Sequence, residues 1–350
     1  MSIKSTWTPI QPPKPSNKPL STTPDSRPTP IRVLTYNVWF DNMFQEQRTR
    51  DLLRIIQEEN PDVLCFQEVT MKFQRIMHKD PYWKENWTMT KFEDQSVMVG
   101  ESWYGTAIAV KKALHKSFVC KAFLVKFKGT QTGRCLTVVE LKPRTFVAQP
   151  ILVSTVHLDY TPELRKRHFR IAIDTLSGSS PDKPIPSFIC GDTNIDSYNE
   201  IQPLLDAGFV DSWIATHPPT PVAPATSPFS DPTSGATATP PPEYSPDLIH
   251  VDPTYGQTGV HLPGKPKKEN VRRLDYLMCR NMNVKTAKLV GTEPIDKDKV
   301  NLSFGNEEQK ALEGVKVWPS DHVGVLVDLE VVWNGIGAED TVSAESQSLI

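Results

Sequence analysis

The sequence predicts an α/β layered fold, and two observations carry that expectation. Apolar runs rich in β-branched and aromatic residues outnumber the stretches of helical periodicity, and the helical stretches recur between them. Four apolar runs also break abruptly into polar clusters: Leu34-Thr35-Tyr36-Asn37, Phe66-Gln67-Glu68-Val69, Cys190-Gly191-Asp192-Thr193-Asn194 and Pro319-Ser320-Asp321-His322. Buried strands that end in this way converge carboxylates and carboxamides at one end of a sheet, where a hard divalent cation and a phosphoryl oxygen can be held together.

The first strand is expected over 31–38, from its β-branched and aromatic content. A helix follows over 48–59, with Leu52, Leu53 and Ile56 at helical spacing, and Asn60-Pro61 stops it. Strands are expected over 63–66, 106–110, 135–141 and 151–156, and a helix over 164–176 with Leu164, Ile171 and Leu176 along one side. A short buried strand at 187–190 precedes a brief helix at 200–207, which Gly208 closes in the left-handed conformation. Strands at 274–279, 284–290 and 323–332 complete the set. No fixed-period repeat is present.

A chain of 350 residues with 38% hydrophobic content suffices for one large core or for two domains. Its 32 prolines crowd residues 1–30 and 218–253, where fixed φ angles and missing N–H donors oppose a regular ladder. Residues 1–30 are expected to be disordered, the fold to run over 31–333 with a Pro-rich insertion at 218–253, and the polar, acidic tail at 334–350 to be disordered. The formal charge of −2 excludes a chain coated in basic residues, so any nucleic-acid contact needs a local patch. Five cysteines sit singly, none in a Cys-x-x-Cys pair, which favours buried free thiols in a reducing compartment. No segment reaches the roughly 18 uninterrupted apolar residues of a membrane helix. A soluble intracellular protein, in nucleus or cytoplasm and monomeric, is expected.

The chemistry rests on the polar clusters. Glu68 follows a buried run, and with Asn37 it forms a minimal holder for Mg²⁺, which takes few protein ligands besides water and phosphate. Gly191-Asp192-Thr193-Asn194 is good turn chemistry taken alone. Read with the other clusters, Asp192 orients or deprotonates the attacking water, and Asn194 donates to phosphate or fixes Asp192. Asp275 lies in a run apolar enough to make an unpaired carboxylate costly, and a pair with His322 would satisfy it and keep the ring charged. His157 ends a strand and reads equally as a site donor or as a satisfied core histidine.

These blocks, in this order, resemble the signature of the endonuclease/exonuclease/phosphatase superfamily, and Gln-Glu-Val with Gly-Asp-Thr-Asn is most similar to its 5′-tyrosyl-DNA phosphodiesterase branch. The resemblance implies a four-layer α/β sandwich, two mixed sheets face to face with helices outside, and dependence on Mg²⁺ or Mn²⁺. It implies Glu68 as metal ligand, with Asn37 and Asp321 beside it. Asn37, His157, Asp192, Asn194, Asp275, Asp321 and His322 then surround the scissile phosphate, and Asp192 activates the water.

A phenol has a pKa near 10 against about 15.7 for water, so a departing phenolate needs little protonation once phosphoryl charge is absorbed. The substrate expected is a protein-linked or damaged 5′ end of nucleic acid, a single-stranded 5′-phosphotyrosyl DNA adduct first among them, hydrolysed to a 5′-phosphate in DNA repair. Lys267, Lys268 and Arg272 belong to the densest basic run and could track a backbone, though they equally suit a solvated loop or an import signal. Trp103, Tyr104, Tyr255 and Trp318 are candidates for stacking on bases. The 218–253 insertion is either inert or a polyproline segment recruiting a protein partner. The competing readings are another hydrolase with the same site (a 3′ exonuclease or deadenylase, an abasic endonuclease, an inositol or sphingolipid phosphohydrolase) and an inactive binding module.

Overall fold

The computed structural model describes residues 4–5, 29–90, 97–99, 102–130, 132–178, 185–218, 252–255, 271–296, 316–331 and 333, with backbone alone at 4–5, 97–99 and 102–103. The chain runs β1 (Lys4–Ser5), β2 (Thr29–Asn37), α1 (Gln45–Glu59), β3 (Val63–Thr70), α2 (Met71–Lys79), α3 (Pro81–Asn86), β4 (Trp87–Met89), β5 (Val97–Val99) and β6 (Ser102–Lys111). It continues through β7 (Phe118–Lys126), β8 (Cys135–Pro143), β9 (Ile151–His157), α4 (Pro162–Leu176), β10 (Ser187–Asp192), α5 (Gln202–Asp206), β11 (Val210–Asp211) and α6 (Ser212–Thr216). The last strands are β12 (Asp275–Arg280), β13 (Met282–Val290) and β14 (Gly324–Val331).

These strands form two mixed seven-stranded sheets, ordered β1-β7-β8-β9-β10-β12-β11 and β13-β14-β2-β3-β6-β4, with β5 paired to β6. Alternation along β2 and β3 shows how the layers stack. Val33, Val63 and Cys65 face Val138, Val153 and Cys190 of the other sheet, while Leu34, Leu64 and Phe66 face Leu52, Ile56, Phe73 and Trp83 of α1 to α3. Helices α4 to α6 supply Phe169, Leu176, Leu204 and Trp213 to the first core. The result is the four-layer sandwich. Strands β3, β9, β10 and β12 are buried at every position, as strands covered on both faces must be, and these four carry Glu68, His157, Asp192 and Asp275.

Several elements depart from the sequence expectation. Lys4–Ser5, inside the segment expected to be disordered, pair with Leu124 and Phe123 at the edge of the first sheet. Strand β3 continues four residues past Phe66, to Thr70, because Thr70 passes directly into α2 as its cap, accepting from the Phe73 N–H at 3.1 Å. Helix α4 turns Arg165, His168, Phe169, Ala172 and Leu176 inward, leaving Leu164 and Ile171 half-buried. Arg165 takes the inward place because Glu200 and Asp196 pair with it at 2.7 and 2.6 Å. Helices α2, α3 and α6 and strands β4, β5, β7 and β11 are additions to the expected set; the three helices are too short to show a long apolar period. Most of the 218–253 insertion and the tail at 334–350 lie outside the described residues.

Buried polar contacts also join the two sheets, one of them through Gln67. Gln67 Nε2 donates to Thr35 Oγ1 at 3.1 Å and reaches across to Thr155 Oγ1 at 2.9 Å, with all three side chains buried. Gln67→Leu strands both hydroxyls without that donor, so a loss of about 2 kcal/mol in unfolding free energy is expected by denaturant titration.

Candidate active site

Strand direction brings the polar clusters together. Parallel β9 and β10 finish at the same level, placing His157 beside Asp192 in the ladder, and antiparallel β12 starts there with Asp275 opposite Asp192. In the other sheet β14 runs antiparallel to β2, so the Asp321-His322 entrance to β14 lies next to Asn37 at the end of β2. Gly191 allows the close approach of β9 and β10 ahead of Asp192. Its φ is +127°, and a Cβ there would lie 2.1 Å from the Val156 carbonyl oxygen.

Glu68 arrives by a different device. Between Phe66 and Val69 the strand advances three residues while β6 advances two, from Ala107 to Gly105, so β3 carries one extra residue. Glu68 sits in that bulge at φ +59°. Without it, strict alternation would send Glu68 toward α1 and α2 with Leu64 and Phe66. Its carboxylate accepts from the Phe40 N–H at 2.9 Å. Arg48 of α1 fastens the loop that carries Phe40, donating to the Val38 and Trp39 carbonyls at 3.0 and 3.2 Å.

Asp192 is the hub. Its Oδ2 accepts from Asn37 Nδ2 at 2.9 Å and lies 3.5 Å from His157 Nε2 and 3.8 Å from His322 Nε2, while Oδ1 accepts from the Asn194 N–H at 3.0 Å. Burial raises its pKa to about 6 against the pull of His322. Burial, with Asp321 and Asp192 nearby, raises Glu68 to about 7. The two imidazoles are shifted in opposite directions. Burial alone would lower His322, but Asp275, whose Oδ2 accepts from Nδ1 at 2.8 Å, and Asp192 hold it well above its ordinary value. His157 is lowered by burial and by Arg134, which donates to its Nδ1 at 2.8 Å and so leaves the ring proton on Nε2.

Ligand atoms of Glu68, His157 and Asp192 lie within 4.8 Å of one another. Two buried carboxylates held close to neutral pH are relieved by a cation, and the oxygen-rich donors suit a hard divalent one. The residues present fit such an ion.

Asn37 turns its amide nitrogen to Asp192 and its oxygen to the Trp39 N–H at 3.0 Å, so the structure shows it orienting Asp192. Asn194, half-buried at φ +50°, fixes Asp192 by its backbone and holds the Leu158 carbonyl with its side chain at 3.0 Å. Asp321 is half-buried beside Ser320, whose hydroxyl donates to the Asn37 carbonyl at 2.6 Å. Tyr255 packs against His322 with ring centroids 4.9 Å apart. Tyr104 corrects the expectation of a base-stacking face: its ring is buried between Phe40 and His157, and its hydroxyl accepts from Arg134 at 3.2 Å. Trp318 donates to the Thr292 carbonyl at 3.1 Å, and Arg272 pairs with Asp196 at 2.7 Å. The Trp103 side chain, Lys267 and Lys268 lie outside the described residues. Sequence reasoning misses Arg134, Phe40 and Arg48. Arg134 directly precedes the run of β8, a position whose importance shows only once β8 is laid beside β9.

Buried carboxylates and an imidazole meeting at the strand ends of a mixed-sheet sandwich suit phosphoester hydrolysis. Residues 34–322 match the model of the Endonuclease/Exonuclease/phosphatase family, and the chain belongs to that family. It is a hydrolase of phosphoester bonds. No curated protein sequence matches the chain. Among solved structures, Danio rerio TDP2 complexed with a single-strand DNA product is similar at 17% identity and TM-score 0.58, covering 86% of this chain and 99% of that one. Truncated TDP2 of Caenorhabditis elegans is similar at 18% identity and TM-score 0.58, over 86% and 97%. The mannosyl-6-phosphatase Bt3783 of Bacteroides thetaiotaomicron is similar at 15% and 0.55, over 85% and 99%. At these identities the likeness is one of fold.

Proposed function

We propose that this enzyme hydrolyses 5′-phosphotyrosyl adducts of DNA, releasing a 5′-phosphate, in the repair of protein-linked ends. One observation carries the reading: a charged His322, held by Asp275, stands with Asn37 at one oxygen of Asp192, their Nε2 and Nδ2 atoms 3.5 Å apart, while the Asn194 N–H holds the other oxygen. A base and a fixed positive donor thus flank one position. A departing phenolate needs little protonation once the phosphoryl charge is absorbed, so the reaction does not require a strong acid at the leaving group. The Gln-Glu-Val and Gly-Asp-Thr-Asn blocks, and the likeness in fold to a TDP2 solved with a single-strand DNA product, support the choice of substrate.

Glu68, with Asp192 and His157 close by and Asn37 and Asp321 around them, would hold Mg²⁺ or Mn²⁺. Bound there, the ion supplies charge neutralisation to the phosphoryl group. Asp192 accepts the proton of the attacking water, with its carboxylate held in plane by Asn37 Nδ2 and the Asn194 N–H. His322 donates from Nε2 to a phosphoryl oxygen while Nδ1 stays on Asp275. His157, neutral and braced by Arg134, presents Nε2–H on the opposite side.

Incubation with a 5′-phosphotyrosyl oligonucleotide, poly(A), abasic duplex and an inositol phosphate tests the substrate. Release of tyrosine and a 5′-phosphate from the first, with the others left whole, is expected; faster turnover of any other member overturns the assignment. Cation binding has its own readout. A hundredfold excess of Mn²⁺ over its dissociation constant should add about 2.7 kcal/mol of stability, seen as a raised Tm. Glu68→Gln is expected to erase most of that rise.

A further inference from the structure

Three large apolar side chains among the described residues are exposed, and Tyr160, at 59%, is the most exposed of them. An exposed aromatic on a free loop would be unremarkable. Tyr160 is held on several sides. Its N–H donates to Asp159 Oδ1 at 3.0 Å, its carbonyl accepts from Arg165 Nη1 at 2.6 Å, and the Arg134 guanidinium stands 5.7 Å from its ring centroid. Arg165 is itself buried and locked by Asp196 and Glu200, so the anchor is rigid.

That fixed ring flanks the catalytic cleft. Arg134 spans the interval between Tyr160 and His157, reaching His157 Nδ1 at 2.8 Å. Asn194, whose backbone fixes Asp192, holds the carbonyl of Leu158, two residues before Tyr160. Beside the second imidazole, Tyr255 lies against His322. A phosphodiester has two organic arms. The Tyr160 flank presents the Asp159 carboxylate, to which the hydroxyls of Thr130 and Thr132 donate at 2.8 and 3.0 Å, and a carboxylate there disfavours a polyanionic arm and suits one without phosphates.

We infer that Tyr160 is a specificity-determining residue: its exposed ring is the wall on which the aryl leaving arm of the substrate packs. Offset stacking of one ring on another needs a flat apolar face held ready beside the scissile bond, and Tyr160 is the described side chain that offers one. The inference rests on the reading that the leaving arm is aryl.

Binding to the Asp192→Asn background tests it without turnover. Fluorescence anisotropy would compare two oligonucleotides of one sequence, one carrying 5′-phosphotyrosine and one a bare 5′-phosphate, in Mg²⁺. Adding Tyr160→Ala is expected to reduce the affinity advantage of the tyrosyl oligonucleotide about tenfold. Tyr160→Phe and Tyr160→Trp should retain that advantage. An advantage unchanged by Tyr160→Ala overturns the inference. So does an equal loss on both oligonucleotides, since that would mean Tyr160 only props Arg134 and His157. If the native protein leaves the tyrosyl oligonucleotide uncleaved while the advantage still depends on Tyr160, the proposed reaction fails and the wall stands.

Discussion

Asp192→Asn is expected to lower kcat by about 10³-fold or more while the protein stays folded. The carboxylate is the one group of the described cluster that meets Asn37, Asn194, His157 and His322 at once, and no described neighbour can take over as base from the same position. His157 is neutral but already accepts from Arg134 at Nδ1, and Glu68 is engaged by the Phe40 N–H. Stability should hardly suffer. Burial raises the pKa of Asp192 to about 6, so an uncharged amide of the same shape removes a charge that the fold accommodates at a cost. The comparison is kcat against Tm for the two proteins. A kcat within tenfold of the native value would remove Asp192 from the mechanism.

The second large effect concerns His322 and Asp275. His322→Ala leaves the Asp275 carboxylate buried, with one oxygen newly bare and the other already without a partner among the described residues. Breaking such a pair from one side costs about 3–5 kcal/mol. Activity should vanish as well, because the positive donor opposite Asp192 is lost. Adding Asp275→Asn to His322→Ala should recover most of the stability and none of the activity, a split that separates the structural share from the chemical one. The pair also sets a pH dependence. The folded pKa of His322 is raised, so its stabilisation is complete below the unfolded value of about 6.5 and is lost as pH rises through the folded value. Urea unfolding of the native protein from pH 6 upward should show this decline, and the double variant should lack it. Equal slopes in the two proteins would contradict the pairing.

Much of this site is legible in the chain because strand ends are. Asn37, His157 and Asp192 each close an apolar run; parallel pairing sets His157 beside Asp192, and the face-to-face packing of the two sheets brings Asn37 to them. The Asp275–His322 pair is legible for another reason: a carboxylate in an apolar strand calls for a partner. What stays hidden depends on packing between distant segments. Glu68 reads as a strand-end group, but β3 continues past it, and only the unequal advance of β3 and β6 turns its carboxylate into the cleft. Arg134 gives no local sign of its role, since its partners come from β6 and β9. Tyr104 looks available for stacking in the sequence because its neighbours Phe40 and His157, which cover it, are far away in the chain. The inward stripe of α4 takes in Arg165, through its ion pairs, where the sequence predicts Leu164.

The most direct test of a cation-assisted cleft acting on aryl phosphodiesters is release of a 5′-phosphate from a 5′-phosphotyrosyl oligonucleotide, followed in Mg²⁺ and again after chelation. Steady release in Mg²⁺, arrest by chelator and recovery on adding Mg²⁺ back are expected. Release that continues at the same rate in chelator would contradict a reaction that depends on a cation held by Glu68, Asp192 and His157.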